Sequence, residues 1–152
     1  MLLKRIIIFI VLNFGALSLG SYLMNNGPQS EWYAALVKAP WNPPGWLFGV
    51  AWFSIMACFA LYLSWAYPKV NRKLFLLLFI PQWILNVSWN YVFFNQQLIN
   101  GGIIVLLLLT AIVYVTLFAF YKPLKMKSLL IVPYCLWLVL ACSLNIYIAV
   151  YN

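Results

Sequence analysis

The sequence predicts an all-α integral membrane protein, a five-transmembrane-helix bundle with a short amphipathic helix in the first extracytoplasmic loop. Of the 152 residues, 67% are hydrophobic and only 7% are charged, whereas about a quarter of the residues in a soluble domain carry charge. Five apolar stretches each approach the roughly 20 residues that a helix needs to cross the hydrocarbon core. We expect helices because lipid offers no hydrogen-bond partners to an irregular backbone. A single domain over 1–152 therefore has helices at about 6–24, 45–67, 74–94, 98–121 and 128–151, with a ligand-capping loop at 25–44.

The basic residues predict the orientation of this bundle. With five spans, eight of the nine basic residues fall on one side, in the N-terminal segment and in the second and fourth loops. Lys38 alone lies on the other side, near the single acidic residue, Glu31. Because basic loops tend to stay inside, we expect a multi-pass cell-membrane protein with a cytoplasmic N-terminus and an extracytoplasmic first loop and C-terminus. The net charge of +8 thus indicates topology and contact with anionic membrane lipid, and not binding of nucleic acid.

The first span follows Lys4 and Arg5, as the apolar part of a signal peptide would. Its apolar run is about 19 residues long and has no clear small-x-small cleavage site. We therefore expect a retained helix. Ala16 and Gly20 lie one turn apart and would let another backbone approach closely, either within the chain or in a homodimer.

The first loop and the start of the second helix concentrate the unusual residues. Residues 31–52 hold four of the eight tryptophans, three of the eight prolines and Glu31. Ser30 is a suitable N-cap for a short amphipathic helix over 31–37. That helix is too short to be stable alone, so it must lie on the bundle or at the interface, where Trp and Tyr are enriched.

Three later helices carry stripes of aromatic or amide side chains. In the second helix, Phe48, Trp52 and Met56 follow one another at four-residue steps. The third and fifth helices carry polar and aromatic residues at three- and four-residue steps, Gln82, Asn86, Trp89, Asn90 and Phe93 in one and Tyr134, Trp137, Ala141, Leu144 and Asn145 in the other. Amides that face lipid are costly, so these stripes should point inward, either to line a cavity or to join helices by hydrogen bonds and packing. The fourth span is nearly all Leu, Ile and Val and is typical of a lipid-facing or scaffold helix.

The composition excludes several kinds of chemistry. The chain has no histidine and one carboxylate side chain, so acid–base pairs, catalytic triads and hydrolytic metal sites lack their ingredients. We expect no metal and no required cofactor, and Cys58, Cys135 and Cys142 should be buried apolar residues. What remains is a tryptophan-lined cavity with a few amides, which suits a flat hydrophobic ligand with polar edges.

Three ordered motifs resemble a known family. They are, in chain order, Trp32-Tyr33, Leu36, Lys38 and Trp41-x-Pro43-Pro44; Gln82-x-x-x-Asn86-x-x-Trp89-x-x-x-Phe93-Phe94; and Pro133-Tyr134-x-x-Trp137-x-x-x-Ala141-x-x-Leu144-Asn145. These motifs are similar to those of the tryptophan-rich sensory protein and translocator protein (TspO/MBR) family, as in its bacterial members. The resemblance covers essentially the whole chain. Two departures are Lys38-Ala39-Pro40, where the family usually has Lys-Pro, and Met56, at a position that is usually aromatic.

The resemblance implies a function and a site. Members of this family bind porphyrins, isoquinoline-carboxamide ligands and, in animals, cholesterol, and some bacterial members degrade protoporphyrin in light. It implies a porphyrin as ligand or substrate, a role in stress or tetrapyrrole regulation, a homodimer, and Trp52 and Trp137 as catalytic residues of a photo-oxidation. The animal sterol motif lacks its basic residue here, so cholesterol is not the expected ligand. The expected binding residues are Trp32, Tyr33, Leu36, Pro43, Phe48, Trp52, Met56, Gln82, Asn86, Trp89, Phe93, Trp137, Ala141 and Asn145.

Two other functions fit the same residues. The chain would be a carrier or sensor of another small lipophilic metabolite without catalysis if a ligand bound but was not altered. It would be a ligand-free membrane scaffold if the aromatic stripes served only packing.

Overall fold

The computed structural model describes residues 1–152, and all of its regular structure is helical. The five long helices are α1 (Leu2–Leu23), α3 (Gly45–Ala66), α4 (Arg72–Asn90), α5 (Ile99–Leu124) and α6 (Val132–Tyr151), and the short α2 (Glu31–Ala35) lies in the first loop. A 3-10 turn occupies Gly27–Gln29, a π-helical turn Tyr91–Asn95 and a second 3-10 segment Lys125–Ile131. The predicted all-α architecture is thus confirmed.

Several of these helices are long and apolar enough to cross a membrane. By length and composition there are four such stretches, and the last, Ile99–Tyr151, is 53 residues long because the 3-10 segment joins α5 to α6 without a break in helical structure. Large apolar side chains point outward along the bundle, for example Phe118, which is 72% exposed. A surface of this kind is stable against lipid and not against water, which confirms the predicted membrane protein.

Local sequence explains where two of the helices begin. The Ser30 hydroxyl accepts a hydrogen bond from the backbone N–H of Tyr33 at 3.1 Å, so this serine caps α2 as the sequence predicts. Asn71 does the same for α4, since its side-chain oxygen accepts from the N–H groups of Lys73 at 2.9 Å and Leu74 at 3.1 Å.

The five long helices form a ring in which each contacts the next, in the order α1, α3, α6, α5, α4 and back to α1. One half of this ring, toward the loops rich in lysine and arginine, is filled by a dry core that includes Phe59, Tyr62, Phe75 and Tyr134. The other half, toward the first loop, is hollow. The sequence thus places its bulky buried side chains at one end of the bundle and leaves space at the other.

Gly20 shows which of two expected contacts the small residues of α1 make. A Cβ atom at this position would lie 2.6 Å from the side-chain Nδ2 of Asn90 on α4, so Gly20 serves close packing within the chain. Ala16, one turn earlier, is 2% exposed and also faces inward. The structure therefore shows Ala16 and Gly20 in close packing within the chain, which is one of the two alternatives that the sequence left open.

Candidate ligand-binding cavity

The hollow half of the bundle holds a cavity of about 550 Å³. Such a volume lies within the range of about 300–1,000 Å³ of small-molecule sites. All five long helices contribute to its wall, together with the first loop and the π-helical turn after α4. A compound held here would touch residues from every part of the chain.

Ten of the fourteen residues expected to bind a ligand line this cavity. They come from the first loop and from α3, α4, the π-helical turn and α6, and they are Tyr33, Pro43, Phe48, Trp52, Asn86, Trp89, Phe93, Trp137, Ala141 and Asn145. The three predicted inward stripes therefore meet at one place.

The other four expected residues lie away from the cavity wall. Met56 is fully buried and packs in the dry core, because it lies one turn further into the bundle than Trp52. Gln82 is 2% exposed and lies below the cavity. In the first loop, Trp32 packs against Phe93 with ring centroids 5.6 Å apart, while Leu36 lies just after α2. None of these four residues forms the surface of the cavity.

The aromatic wall is built from edge-to-face and stacked contacts. The ring of Trp137 meets the rings of Phe48 at 5.5 Å and of Trp52 at 6.5 Å, both at nearly right angles. On the α4 side, the indole of Trp89 lies parallel to the ring of Phe93 at 5.4 Å. Aromatic pairs of this geometry hold each other in place, so the cavity presents fixed flat surfaces.

A hydrogen-bonded chain of three side chains supports the inner end of the cavity. Gln82 Nε2 donates to the hydroxyl of Tyr134 at 3.0 Å, and that hydroxyl donates to Oδ1 of Asn86 at 3.0 Å. The Tyr134 ring also meets the ring of Trp52, with centroids 5.9 Å apart. Gln82 thus acts on the site indirectly, by fixing Tyr134 and through it the orientation of Asn86.

Two polar atoms of the cavity residues lack partners within the chain. The indole Nε1–H of Trp89 is buried and makes no hydrogen bond, and neither does Oδ1 of the 5% exposed Asn145. Buried polar groups are almost always paired, and an unpaired one destabilises the fold. The residues that line the cavity thus keep one donor and one acceptor unused, which suits a ligand that carries both an acceptor and a donor.

Gly102 makes room beside one of these atoms. A Cβ at this position would lie 2.9 Å from the Phe93 ring and 3.4 Å from Oδ1 of Asn145. The absence of a side chain thus lets α5 approach the aromatic and polar parts of the wall.

The first loop covers the outer end of the cavity. The Tyr33 ring packs edge to face on Phe94, with centroids 5.2 Å apart, and Lys38 Nζ lies 4.5 Å from the centre of the Tyr33 ring. Burial raises the pKa of the Tyr33 hydroxyl, so this group stays protonated at neutral pH and remains able to donate a hydrogen bond. At the far end of the loop, Asn152 bonds to both backbone groups of Val37, at 2.9 and 3.2 Å.

Sequence reasoning did not predict the contribution of α1. Ala16, Leu17 and Ser21 line the cavity. A helix that faces lipid on one side and a hydrophobic cavity on the other is apolar on both sides, so its sequence has no polar stripe that would mark the cavity side. The small Ala16 and Gly20 were the only sign of a close approach. Leu106 of α5 was missed for the same reason.

Comparison with known proteins places these features in a family. The model of the TspO/MBR family matches residues 7–151. The tryptophan-rich protein TspO of Chlorobaculum tepidum is 37% identical over 122 residues, which cover 78% of this chain and 77% of the relative. The tryptophan-rich sensory protein of Cereibacter sphaeroides is 30% identical over 115 residues (76% and 74%), and the human translocator protein is 30% identical over 125 residues (79% and 74%).

Proposed function

The chain belongs to the TspO/MBR family of membrane proteins, and on this premise we propose that it binds a porphyrin or a similar flat hydrophobic molecule in the cavity beneath its first loop. The observation that carries the proposal is the combination of a rigid aromatic wall with an unpaired buried donor on Trp89 and an unpaired buried acceptor on Asn145. Stacking on the wall would hold the macrocycle, and the two polar atoms would orient its polar substituents.

We further propose that the bound porphyrin is oxidatively degraded in light. Excited porphyrin and dioxygen would supply the oxidising chemistry, as cofactors do in other enzymes. The role of the chain would be to hold the macrocycle and to relay electrons through its indole rings: an indole that loses an electron is restored by one from the porphyrin as it is oxidised, and dioxygen is the final electron acceptor. Trp52 and Trp137 fit this role because both line the cavity and their rings are in contact.

We propose that all five long helices cross the membrane. Helices α5 and α6 lie side by side and are joined by the 3-10 segment Lys125–Ile131. This segment reverses the direction of the chain. Five crossings place the basic loops in the cytoplasm and the first loop and the C-terminus outside, so the cavity would open toward the extracytoplasmic side.

We also propose a homodimer. Because Gly20 packs against Asn90 and Ala16 faces inward within the chain, the interface must use other apolar surfaces of the bundle. Crosslinking in native membranes tests this proposal, and a species that is only monomeric would overturn it.

A titration with protoporphyrin, repeated in light and in the dark, tests the function. We expect quenching of tryptophan fluorescence in the dark and loss of protoporphyrin under illumination. Quenching with intact protoporphyrin recovered after illumination would instead indicate a carrier or sensor. An unchanged tryptophan signal at every porphyrin concentration would overturn the binding proposal and favour a scaffold.

A further inference from the structure

A second concave surface lies at the opposite end of the bundle from the cavity. This groove has a volume of about 420 Å³ and runs between the C-terminal part of α5, the 3-10 segment and the start of α6. It is lined by eight residues, Leu117, Phe118, Tyr121, Lys125, Met126, Ser128, Leu129 and Val132. None of them belongs to the cavity wall.

The groove has one buried polar group without a partner. Ser128 is 4% exposed, and its hydroxyl oxygen makes no hydrogen bond within the chain. In contrast, the neighbouring side chains of Phe118, Met126 and Leu129 are 60% or more exposed. A serine hydroxyl both donates and accepts, so the most buried residue of this groove keeps a hydrogen-bonding group that the protein does not use.

The rim of the groove carries a positive charge. Lys125 lines the groove, and Lys122 lies in the last turn of α5. Lys127, only two residues further on, turns away, since its Nζ lies 2.9 Å from the centre of the Trp65 ring on α3. Lys125 is therefore the lysine of this loop that lines the groove.

The backbone at Lys125 is held in an unfavourable conformation. Its φ of 51° and ψ of −122° lie outside the regions that residues with a Cβ normally adopt. Such conformations are costly and persist where the surroundings impose them, often at ligand sites. Here the conformation ends α5 and starts the 3-10 segment that forms the groove.

From these features we infer that the groove is a binding site for one anionic phospholipid. The apolar wall accepts an acyl chain, Ser128 offers a hydrogen bond to the ester region, and Lys125 pairs with the phosphate. A free phosphate ion would have no use for the apolar wall. A second copy of the chain is disfavoured because eight lining residues fall well short of the roughly 20–30 residues a side of a stable interface. The inference does not depend on what the cavity binds.

Native mass spectrometry of the full chain with added phosphatidylglycerol or phosphatidylcholine tests this site. We expect one phosphatidylglycerol to bind more tightly than phosphatidylcholine, and inorganic phosphate not to displace it. Lys125→Ala should weaken this binding about fivefold, and Ser128→Ala about 2- to 12-fold. Lys73→Ala removes the same charge from α4, outside the groove, and should leave the affinity unchanged. Equal binding of the two lipids, or an equal loss in Lys73→Ala, would overturn the inference.

Lys125→Gly separates the site from the fold. Glycine adopts a positive φ readily, so this variant should unfold at a higher temperature than the parent when lipid is absent, and yet bind phosphatidylglycerol as weakly as Lys125→Ala. Parental affinity in Lys125→Gly would show that the lysine side chain does not hold the lipid, and would also overturn the inference.

Discussion

The indole rings of Trp52 and Trp137 meet edge to face, with centroids 6.5 Å apart and an angle of 78° between their planes. Because the inward stripes of these two tryptophans lie on different helices, we expect the sequence to place the rings opposite each other across one cavity. The structure shows instead that they adjoin on one wall, because α3 and α6 are neighbours in the ring of helices. A flat ligand on this wall could therefore lie against both indoles at once.

Substitution of these tryptophans separates binding from photochemistry. We expect Trp52→Phe and Trp137→Phe to bind protoporphyrin with nearly the parental affinity but to lose its light-dependent degradation, because phenylalanine stacks but is much harder to oxidise. The alanine variants should bind about 5- to 150-fold more weakly, a loss of about 1–3 kcal/mol taken from base–aromatic stacking. Fluorescence titration in the dark and absorbance under illumination measure the two effects. Parental degradation in both phenylalanine variants would remove the proposed role of the indoles.

The unpaired indole N–H of Trp89 gives a second prediction. Trp89→Phe should keep the packing on Phe93. It should lower the affinity for a porphyrin with polar substituents about 2- to 12-fold, which corresponds to the loss of one neutral hydrogen bond. Because this N–H has no partner in the unliganded chain, the thermal stability without ligand should stay the same or rise. Trp83→Phe on the same helix is the matched control. Trp83 Nε1 donates to the Leu12 carbonyl at 2.9 Å, so its loss should lower stability and leave affinity unchanged.

The packing of Gly20 gives a prediction about stability. Gly20→Ala would bring a Cβ to 2.6 Å from Asn90 Nδ2, so the Asn90 amide must turn away from the Asn86 carbonyl. We expect this change to destabilise the protein by about 1 kcal/mol. Gly15 on the same helix has open space around it, so Gly15→Ala should be neutral or stabilising by up to about 1 kcal/mol. Unfolding of the two variants in detergent measures the difference. A stable Gly20→Ala protein that no longer crosslinks as a dimer would instead place Gly20 at an interface between copies.

Much of this architecture could be predicted because membrane burial leaves simple marks on a sequence. The stripes through Phe48, Asn86 and Trp137 carry amides or aromatic rings against a background of aliphatic residues, and all three reach the cavity. The cap of α2 at Ser30 also follows from local chemistry alone.

Depth along a stripe could not be predicted in the same way. Met56 and Gln82 continue the periodicity of Trp52 and Asn86, but the ring of helices closes at their level and they lie below the cavity. Periodicity gives the side of a helix and not the point at which the space between helices ends. Close contacts such as that of Gly20 with Asn90 are equally invisible, because they depend on the order of helices around the ring.

The orientation of the bundle is testable with single cysteines. In a background without Cys58, Cys135 and Cys142, Lys38→Cys should react with an impermeant thiol reagent added from outside, whereas Arg72→Cys should react only after permeabilisation. The reason is that Lys38 and the eight other basic residues lie at opposite ends of the predicted spans. The reverse labelling pattern would invert the proposed topology.

The last prediction concerns the contact that fixes the first loop. Asn152 Oδ1 accepts from the N–H of Val37 at 2.9 Å, and Asn152 Nδ2 donates to the Val37 carbonyl at 3.2 Å. This amide therefore pairs with the loop as a neighbouring backbone would. A second contact, between Trp41 Nε1 and the Ser143 hydroxyl at 3.2 Å, ties the same loop to α6. Since the loop covers the cavity, its attachment to α6 should limit the exchange of ligand.

We expect Asn152→Ala to increase both the association and the dissociation rate of protoporphyrin, because a loop that opens more often admits and releases ligand more often. The equilibrium affinity should fall by no more than about fivefold, since both bonds are exposed to solvent and together contribute about 1 kcal/mol. Stopped-flow fluorescence measures the rates. Asn100→Ala, an exposed asparagine in the first turn of α5, is the control and should exchange ligand at the parental rates. If Asn152→Ala lowers affinity through the dissociation rate alone, Asn152 stabilises the bound state without controlling access, and the loop does not act as the gate.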